Sequence, residues 1–265
     1  REILGELPSA IIAFSGGVDS SLLLWASHDV LRERAHAVMI GSSLTPPGER
    51  ETACRVARML GVDLTVLDID LVGIPSIARN TEDRCYRCKK VIFREIRRVA
   101  RRMGIAHILE GSNADDLTDF RPGRRASIEA GVRMPLQEAG LSKAEIREWA
   151  KRAGLETWNH PSQACLASRI PFGTRLSPDR LSRVASAEII LIDLGFQGAR
   201  LRDHHPVARI EIPEPDLDRV LQPHIRSELT RRIRDCGFPC VTLDLNGYRM
   251  GSLNPVRPND AEGDV

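Results

Sequence analysis

Ala10-Ile11-Ile12-Ala13-Phe14-Ser15-Gly16-Gly17-Val18-Asp19-Ser20-Ser21 is the stretch that decides the fold. A short apolar run closed by a serine and two glycines predicts a strand buried on both faces. Leu22, Leu23, Trp25 and Ala26 continue it as a helix. The two glycines let the backbone turn sharply and aim N–H groups at an anion, and the helix adds the positive end of its dipole. The hydroxyls of Ser15, Ser20 and Ser21 can donate as well. Asp19 would repel bare phosphate but suits a Mg²⁺ that bridges phosphates. The string is neither a Walker loop, since no Gly-Lys-Ser/Thr follows, nor a dinucleotide fingerprint.

Working outward, residues 37–40 read as a second strand ending at Gly41-Ser42-Ser43. Thr45-Pro46 predicts a helix start, Ala53, Val56, Ala57 and Leu60 keep helical spacing, and Gly61 stops the helix. Residues 64–67 are a third strand. Val91, Ile92, Ile96, Val99 and Met103 line a long helix, and residues 106–109 make a fourth strand. Ser142-Lys143-Ala144-Glu145 is a capping box for one more helix. This alternation predicts an α/β fold with a doubly wound parallel sheet, whose ligands sit at the carboxyl ends of the strands. The fourth strand leads into Glu110-Gly111-Ser112-Asn113-Ala114-Asp115-Asp116, which should face the same crevice. Gly111 and Asn113 are candidates for nucleotide contact. Asp115 and Asp116 read either as Mg²⁺ or loop-orienting carboxylates or as acidic residues of a helix start.

Residues 157–173 lose all periodicity, so a domain boundary is expected there: residues 1–160 as the nucleotide domain, 161–253 as a small C-terminal α+β domain, and 254–265 as a disordered tail. A helix should run over 177–194, strands over 199–202, 207–212 and 241–245, and helices over 216–221 and 225–235.

The 265 residues are 42% hydrophobic and 28% charged, which excludes wholesale disorder. No apolar run nears the roughly 20 residues of a membrane span, and the start lacks a signal pattern, so the expected address is the cytoplasm. A net charge of +2 does not single out nucleic acid as a partner. Of 38 basic residues only Lys89, Lys90, Lys143 and Lys151 are lysine; the excess of arginine reads either as codon bias of a GC-rich genome or as a supply of bidentate phosphate and carboxylate binders. The run Arg94, Arg97, Arg98, Arg101, Arg102 reads as a solvated or subunit-facing side of the long helix.

Six cysteines remain. Cys54 falls on an apolar helix face, and Cys236 and Cys240 read as core or strand edge. Cys85-Tyr86-Arg87-Cys88 is open to three readings: a redox pair, half a zinc site, or part of an iron–sulfur site. Cys165 lies in a loop that no period explains, with Arg169 and Arg175 near enough in sequence to favour its thiolate.

Ser15 to Ser21 resembles the loop of the PP-loop ATP pyrophosphatases. Together with Gly111 to Leu117, Arg121-Pro122-Gly123 and Ala164-Cys165-Leu166-Ala167-Ser168-Arg169, it resembles the LarE family over nearly the whole chain. That resemblance implies an ATP-dependent sulfurtransferase acting on a small nucleotide, pyridinium-3,5-biscarboxylic acid mononucleotide, for the nickel-pincer cofactor of lactate racemase-type enzymes. It implies ATP and Mg²⁺ at Ser15, Gly16, Gly17, Asp19, Ser20, Ser21, Gly111, Asn113 and Asp115, with Asp19 and Cys165 catalytic. Arg169, Arg200 and Arg202 resemble substrate-binding arginines, the last two sharing one face of a strand, and Glu188 resembles a family residue or is a solvated helix position. Cys85, Cys88 and Cys165 resemble the branch in which three cysteines hold a [4Fe–4S] cluster with one open iron. In the other branch Cys165 gives up its own sulfur and becomes dehydroalanine. The family also implies a homo-oligomer, with hexamers among its members, and an unidentified sulfide donor. The rivals are a tRNA-thiolating PP-loop enzyme, which the balanced charge disfavours, an amide synthetase, and a nucleotide sensor with structural zinc.

Overall fold

The computed structural model describes residues 1–117, 122–161, 163–249 and 253. Arg121 and the tail expected to be disordered lie outside them. Among the described residues no helix is long and apolar enough to cross a membrane. The chain divides into two compact units, Arg1–Cys165 and Leu166–Val265. This division falls after Cys165 rather than after residue 160, and it leaves Cys165 in the same unit as Cys85 and Cys88.

In the first unit the elements run α1 (Glu2–Gly5), β1 (Ala10–Ala13), α2 (Val18–Leu31), β2 (Ala35–Gly41), α3 (Glu49–Leu60), β3 (Leu64–Asp68), α4 (Pro75–Ala78), α5 (Arg84–Arg102), β4 (His107–Glu110), α6 (Gly123–Glu129), α7 (Pro135–Glu138) and α8 (Lys143–Arg152). The sheet order is β3-β2-β1-β4, and every pair is parallel. The chain lays β2 and β3 on one side of β1 and then crosses to place β4 on the other. That reversal opens a crevice at the carboxyl ends of β1 and β4.

Strand alternation explains why β1 has no polar face. Ile12 packs with Leu23, Leu24, Ala53 and Val56 in one core, while its neighbour Ile11 packs with Phe93, Ile96, Val99 and Ile108 in the other. Helix α3 starts at Glu49, not at Pro46 as expected. Gly48 intervenes with φ +79°, a left-handed conformation that a helix cannot continue through. On α5 the buried residues Phe93, Ile96, Val99 and Ala100 follow helical spacing. Arg94 and Arg98 project from the opposite side and pair with Glu95 at 3.0 and 2.7 Å, and Arg101 and Arg102 are exposed with them, whereas Arg97 is half-buried and donates to the Ala130 carbonyl. Cys54 is half-buried rather than core, because it flanks the Ala53–Val56–Ala57 stripe.

The second unit contains α9 (Pro178–Asp193), β5 (Arg200–His204), β6 (Val207–Glu211), α10 (Leu217–Val220), α11 (Pro223–Asp235) and β7 (Cys240–Leu243). Ser177 caps α9 by accepting from the Arg180 N–H at 3.3 Å, and Pro178 follows as its first residue. β5 and β6 are antiparallel, β6 and β7 parallel. Leu181, Val184, Leu191, Phe196, Leu201, Ile210 and Phe238 are among its buried apolar residues. Cys236 is half-buried, and Cys240 is exposed at the start of β7.

Candidate active site

The loop between β1 and α2 is held by its own hydroxyls. Ser20 Oγ donates to the Gly17 carbonyl at 3.0 Å and accepts from the Ser15 N–H at 3.3 Å, and it lies 3.1 Å from Ser15 Oγ. Gly17 N–H donates to Ser15 Oγ at 3.3 Å. Gly16 has φ +84°, and a Cβ there would stand 3.0 Å from the Glu49 carbonyl oxygen and 3.1 Å from the Ala53 nitrogen. Glycine is therefore required twice over, by conformation and by contact. Gly17 caps α2 with no side chain bonded to the helix end, so the first turn presents its N–H groups to a ligand. Ser21 belongs to the helix wall. It is fully buried, its N–H donates to the Gly17 carbonyl, and its hydroxyl has no partner among the described residues.

The loop after β4 meets this one from the other side of the crevice. At Gly111 an added Cβ would stand 2.8 Å from Ser20 N, 3.0 Å from the Asp19 carbonyl carbon and 3.1 Å from Ser20 Cα. Asn113 Nδ2 donates to Asp19 Oδ1 at 3.0 Å. Asp116 accepts from the Asn113 N–H at 3.1 Å, and the Asp116 N–H donates to Asn113 Oδ1 at 3.3 Å. Asp116 thus orients the loop, while Asp115 accepts from the Lys143 N–H at 2.9 Å and ties the loop to the start of α8.

Two lysines complete the crevice, and the sequence reading passed over both. Lys143 Nζ donates to Asp19 Oδ2. Lys89 Nζ donates to Glu110 Oε2 at 2.8 Å and to Ser127 Oγ at 3.2 Å. In a chain that uses arginine for almost every cation, a retained lysine was the available signal. A compact ammonium suits a crowded phosphate site better than a planar fork.

The crevice fits a magnesium nucleotide on its donor set. Backbone N–H groups and a helix end face an anion, and one carboxylate held by Asn113 and Lys143 retains lone pairs for a hard cation.

The thiols form a second constellation in the same unit. Cys85 and Cys88 sit three residues apart in the first turn of α5, on one face. Burial pushes the Cys88 thiol up to about 12, and Cys165 and then Cys85 add to the rise, so Cys165 is within electrostatic reach of the pair. Arg84, which the sequence reading did not single out, is buried beside them and donates to Cys85 Sγ at 3.6 Å. Among the described residues no group of three or more His, Cys, Asp and Glu is gathered closely enough to hold a metal ion. By donor chemistry alone, α5 and the segment ending the unit supply three soft thiolates, the ligand type of an iron–sulfur group.

The three candidate arginines of the second unit, Arg169, Arg200 and Arg202, are buried rather than solvated. Arg169 is 1% exposed and bonds Glu188 through Nε at 2.8 Å and Nη2 at 3.1 Å. Glu188 is therefore a buried ion-pair partner, not a solvated helix residue, and Glu188 Oε1 also accepts the Leu201 N–H at 3.2 Å. Arg202 pairs with Glu211 at 2.6 Å and donates to the Ser168 carbonyl at 3.0 Å. Arg200 lies over the Tyr248 ring at 5.4 Å. Burial first, and Arg169 next, push its guanidinium down.

The comparisons with known proteins cover most of the chain. A family model described as asparagine synthase matches residues 10–210. An uncharacterized protein of Synechocystis sp. is 39% identical over 97% of this chain and 96% of its own length. The pyridinium-3,5-bisthiocarboxylic acid mononucleotide synthase of Lactiplantibacillus plantarum is 37% identical over 95% of this chain and 91% of its own. A polypeptide of the glutamine-hydrolyzing GMP synthase of Pyrococcus horikoshii is 28% identical over 58% of this chain and 53% of its own, which marks a fold shared more widely than the full-length match. With the phosphate loop, the opposing Gly111 loop and a full-length match in agreement, the chain belongs to the LarE family of ATP-using sulfurtransferases, built on the PP-loop domain.

Proposed function

We propose that the chain adenylates the carboxylates of pyridinium-3,5-biscarboxylic acid mononucleotide and converts them to thiocarboxylates. One observation carries the sulfur half: Cys165 lies within electrostatic reach of the Cys85–Cys88 pair, in the unit that also holds the phosphate loop. The name of the Lactiplantibacillus relative supports the substrate.

The N–H groups of residues 18–20 in the first turn of α2 hold the β- and γ-phosphates, and Asp19 would hold Mg²⁺ through an oxygen that Lys143 now occupies. A substrate carboxylate oxygen attacks the α-phosphorus, pyrophosphate leaves, and the acyl carbon gains AMP as a leaving group. Lys143, released from Asp19, neutralises charge building on the phosphates. A sulfur nucleophile then attacks the acyl carbon, and AMP departs with the carboxylate oxygen. Cys85, Cys88 and Cys165 would hold a [4Fe–4S] core, which supplies sulfur through an iron that has no protein ligand. By the family resemblance Arg169, Arg200 and Arg202 take the substrate's phosphate and second carboxylate, which requires Arg169 and Arg202 to exchange their buried Glu188 and Glu211 partners for it. By the same resemblance the chain works in the cytoplasm as a homo-oligomer and receives sulfide from an external donor.

The nearness of Arg84 to Cys165 favours a second reading, since a cation promotes thiolate. There Cys165 Sγ attacks the acyl carbon and AMP leaves. The Cα proton and the Cβ–Sγ bond are then lost, leaving dehydroalanine and the thiocarboxylate.

The deciding experiment incubates anaerobically reconstituted protein with substrate, ATP and Mg²⁺, then measures iron, acid-labile sulfide, pyrophosphate and product mass. About four irons and four sulfides per chain, with thiocarboxylate formed and Cys165 intact, support the cluster route. No iron, together with dehydroalanine at Cys165, transfers the function to the second reading. Pyrophosphate release without any thiocarboxylate would overturn both.

Lys143→Met tests the adenylating half. We expect pyrophosphate release to fall by on the order of 100-fold, the scale of losing one stabilising group, with Cys165-dependent iron content unchanged. A rate within a factor of two of the parent would remove Lys143 from the phosphate site.

A further inference from the structure

We propose that Arg84 is the positioning residue of the three-thiol site, a fixed buried cation that orients Cys85 and offsets the negative charge of the thiolates. The inference rests on reading Cys85, Cys88 and Cys165 as one ligand set.

Arg84 is 4% exposed, and a buried guanidinium demands a built environment. The chain supplies one on both sides of its fork. Nη1 donates to Asn80 Oδ1, and Nη2 donates to Cys85 Sγ at 3.6 Å. The Cys85 contact places the guanidinium at the start of α5, the helix that also carries Cys88, and Cys165 closes the same compact unit.

Asn80 is a fixed anchor. It is fully buried with φ +54°, a left-handed conformation that a non-glycine residue seldom adopts and asparagine tolerates best. Its N–H donates to the Ile77 carbonyl at 3.0 Å, and the Arg84 N–H donates to the Thr81 carbonyl at 2.8 Å. The turn at residues 77–84 thus sets both the start of α5 and the direction of the Arg84 side chain.

The electrostatics give this arrangement a purpose. Three thiolates holding one core in a partly buried place would concentrate negative charge, and uncompensated buried charge is strongly unfavourable. One guanidinium cancels part of it without being a ligand. Lysine would keep the charge but could not span the Asn80 oxygen and the Cys85 sulfur with one planar group.

The test reconstitutes the full chain anaerobically and compares it with Arg84→Gln, Arg84→Lys and Asn80→Gly. Far-ultraviolet circular dichroism and thermal melting establish that each variant folds. Readouts are iron and sulfide per chain, the visible absorption of the bound core, and its reduction potential by titration. Arg84→Gln should hold less than half the parent's iron, and what it holds should reduce at a more negative potential, because the reduced form carries one more negative charge. Arg84→Lys should recover the potential more than the iron content. Asn80→Gly keeps the backbone conformation but frees the fork, and should shift both readouts in the direction of Arg84→Gln by a smaller amount. If Arg84→Gln does not fold, Asn80→Gly decides. Parent-like iron and potential in the folded variants would overturn the role of Arg84 while leaving the ligand set standing. A parent chain that binds no iron would overturn the ligand set itself, and this role with it.

Discussion

Gly111→Ala is expected to lower ATP-dependent pyrophosphate release by on the order of 100-fold, the effect of moving a reacting group by about 1 Å. The added methyl would meet Ser20 N at 2.8 Å, the Asp19 carbonyl carbon at 3.0 Å and Ser20 Cα at 3.1 Å. All three are main-chain atoms of the first turn of α2, and none can swing aside as a side chain would. The phosphate loop or the end of β4 must therefore move. Either shift disturbs Asp19, which Asn113 and Lys143 hold from the Gly111 side. Iron content should stay at the parent level, because the three cysteines lie on α5 and on the segment ending the unit. Cys165→Ala should give the converse: pyrophosphate still released, thiocarboxylate at background. Steady-state pyrophosphate assays on both variants check the pair. If Gly111→Ala retained the parent rate, the two loops would not form one nucleotide site.

The sequence disclosed the phosphate loop because every part of it is contiguous. An apolar strand, two glycines and a helix start can be read in one pass from Ala10 to Ala26, and the sheet follows from repeating that pattern. Partnerships between distant residues were illegible. Lys143 reads as the second residue of a capping box, and the box is real: Ser142 and Glu145 satisfy each other's N–H groups. Nothing local reveals that the side chain between them reaches Asp19, 124 residues away. Arg84 was hidden by composition, since one more arginine beside a C-x-x-C carries no signal in an arginine-rich chain. Its burial comes from the Asn80 turn, whose left-handed conformation has no sequence marker as plain as glycine. The arginines at 169 and 202 were read by their charge alone. Their carboxylate partners, Glu188 and Glu211, come from a helix and a second strand, and only the fold brings them within 2.8 and 2.6 Å. The late start of α3 was a local misreading: a proline marks where a helix can begin, and a left-handed glycine two residues on prevents it.

Glu188→Ala should destabilise the second unit by about 3–5 kcal/mol, the cost of leaving a buried charge without its partner. Arg169 and Glu188 have side chains 1% and 5% exposed, so water cannot replace the lost carboxylate. The same change removes the acceptor of the Leu201 N–H in β5. Hydrogen exchange read by mass spectrometry should therefore report faster exchange first in peptides covering residues 181–204. Unchanged exchange there would show that the pair contributes nothing to the fold. The double variant Arg169→Met, Glu188→Leu separates stability from chemistry. An apolar pair of similar volume is commonly neutral or stabilising where an ion pair was buried, so exchange should return to the parent level. If the pair served the fold alone, thiocarboxylate formation would return with it. We expect it not to return, and expect the loss to appear as a raised KM for the nucleotide substrate rather than as slower pyrophosphate release at saturation. A guanidinium held in a buried carboxylate's grip costs more than an apolar side chain at that position, and a raised KM in the double variant would assign that cost to binding the substrate's anion.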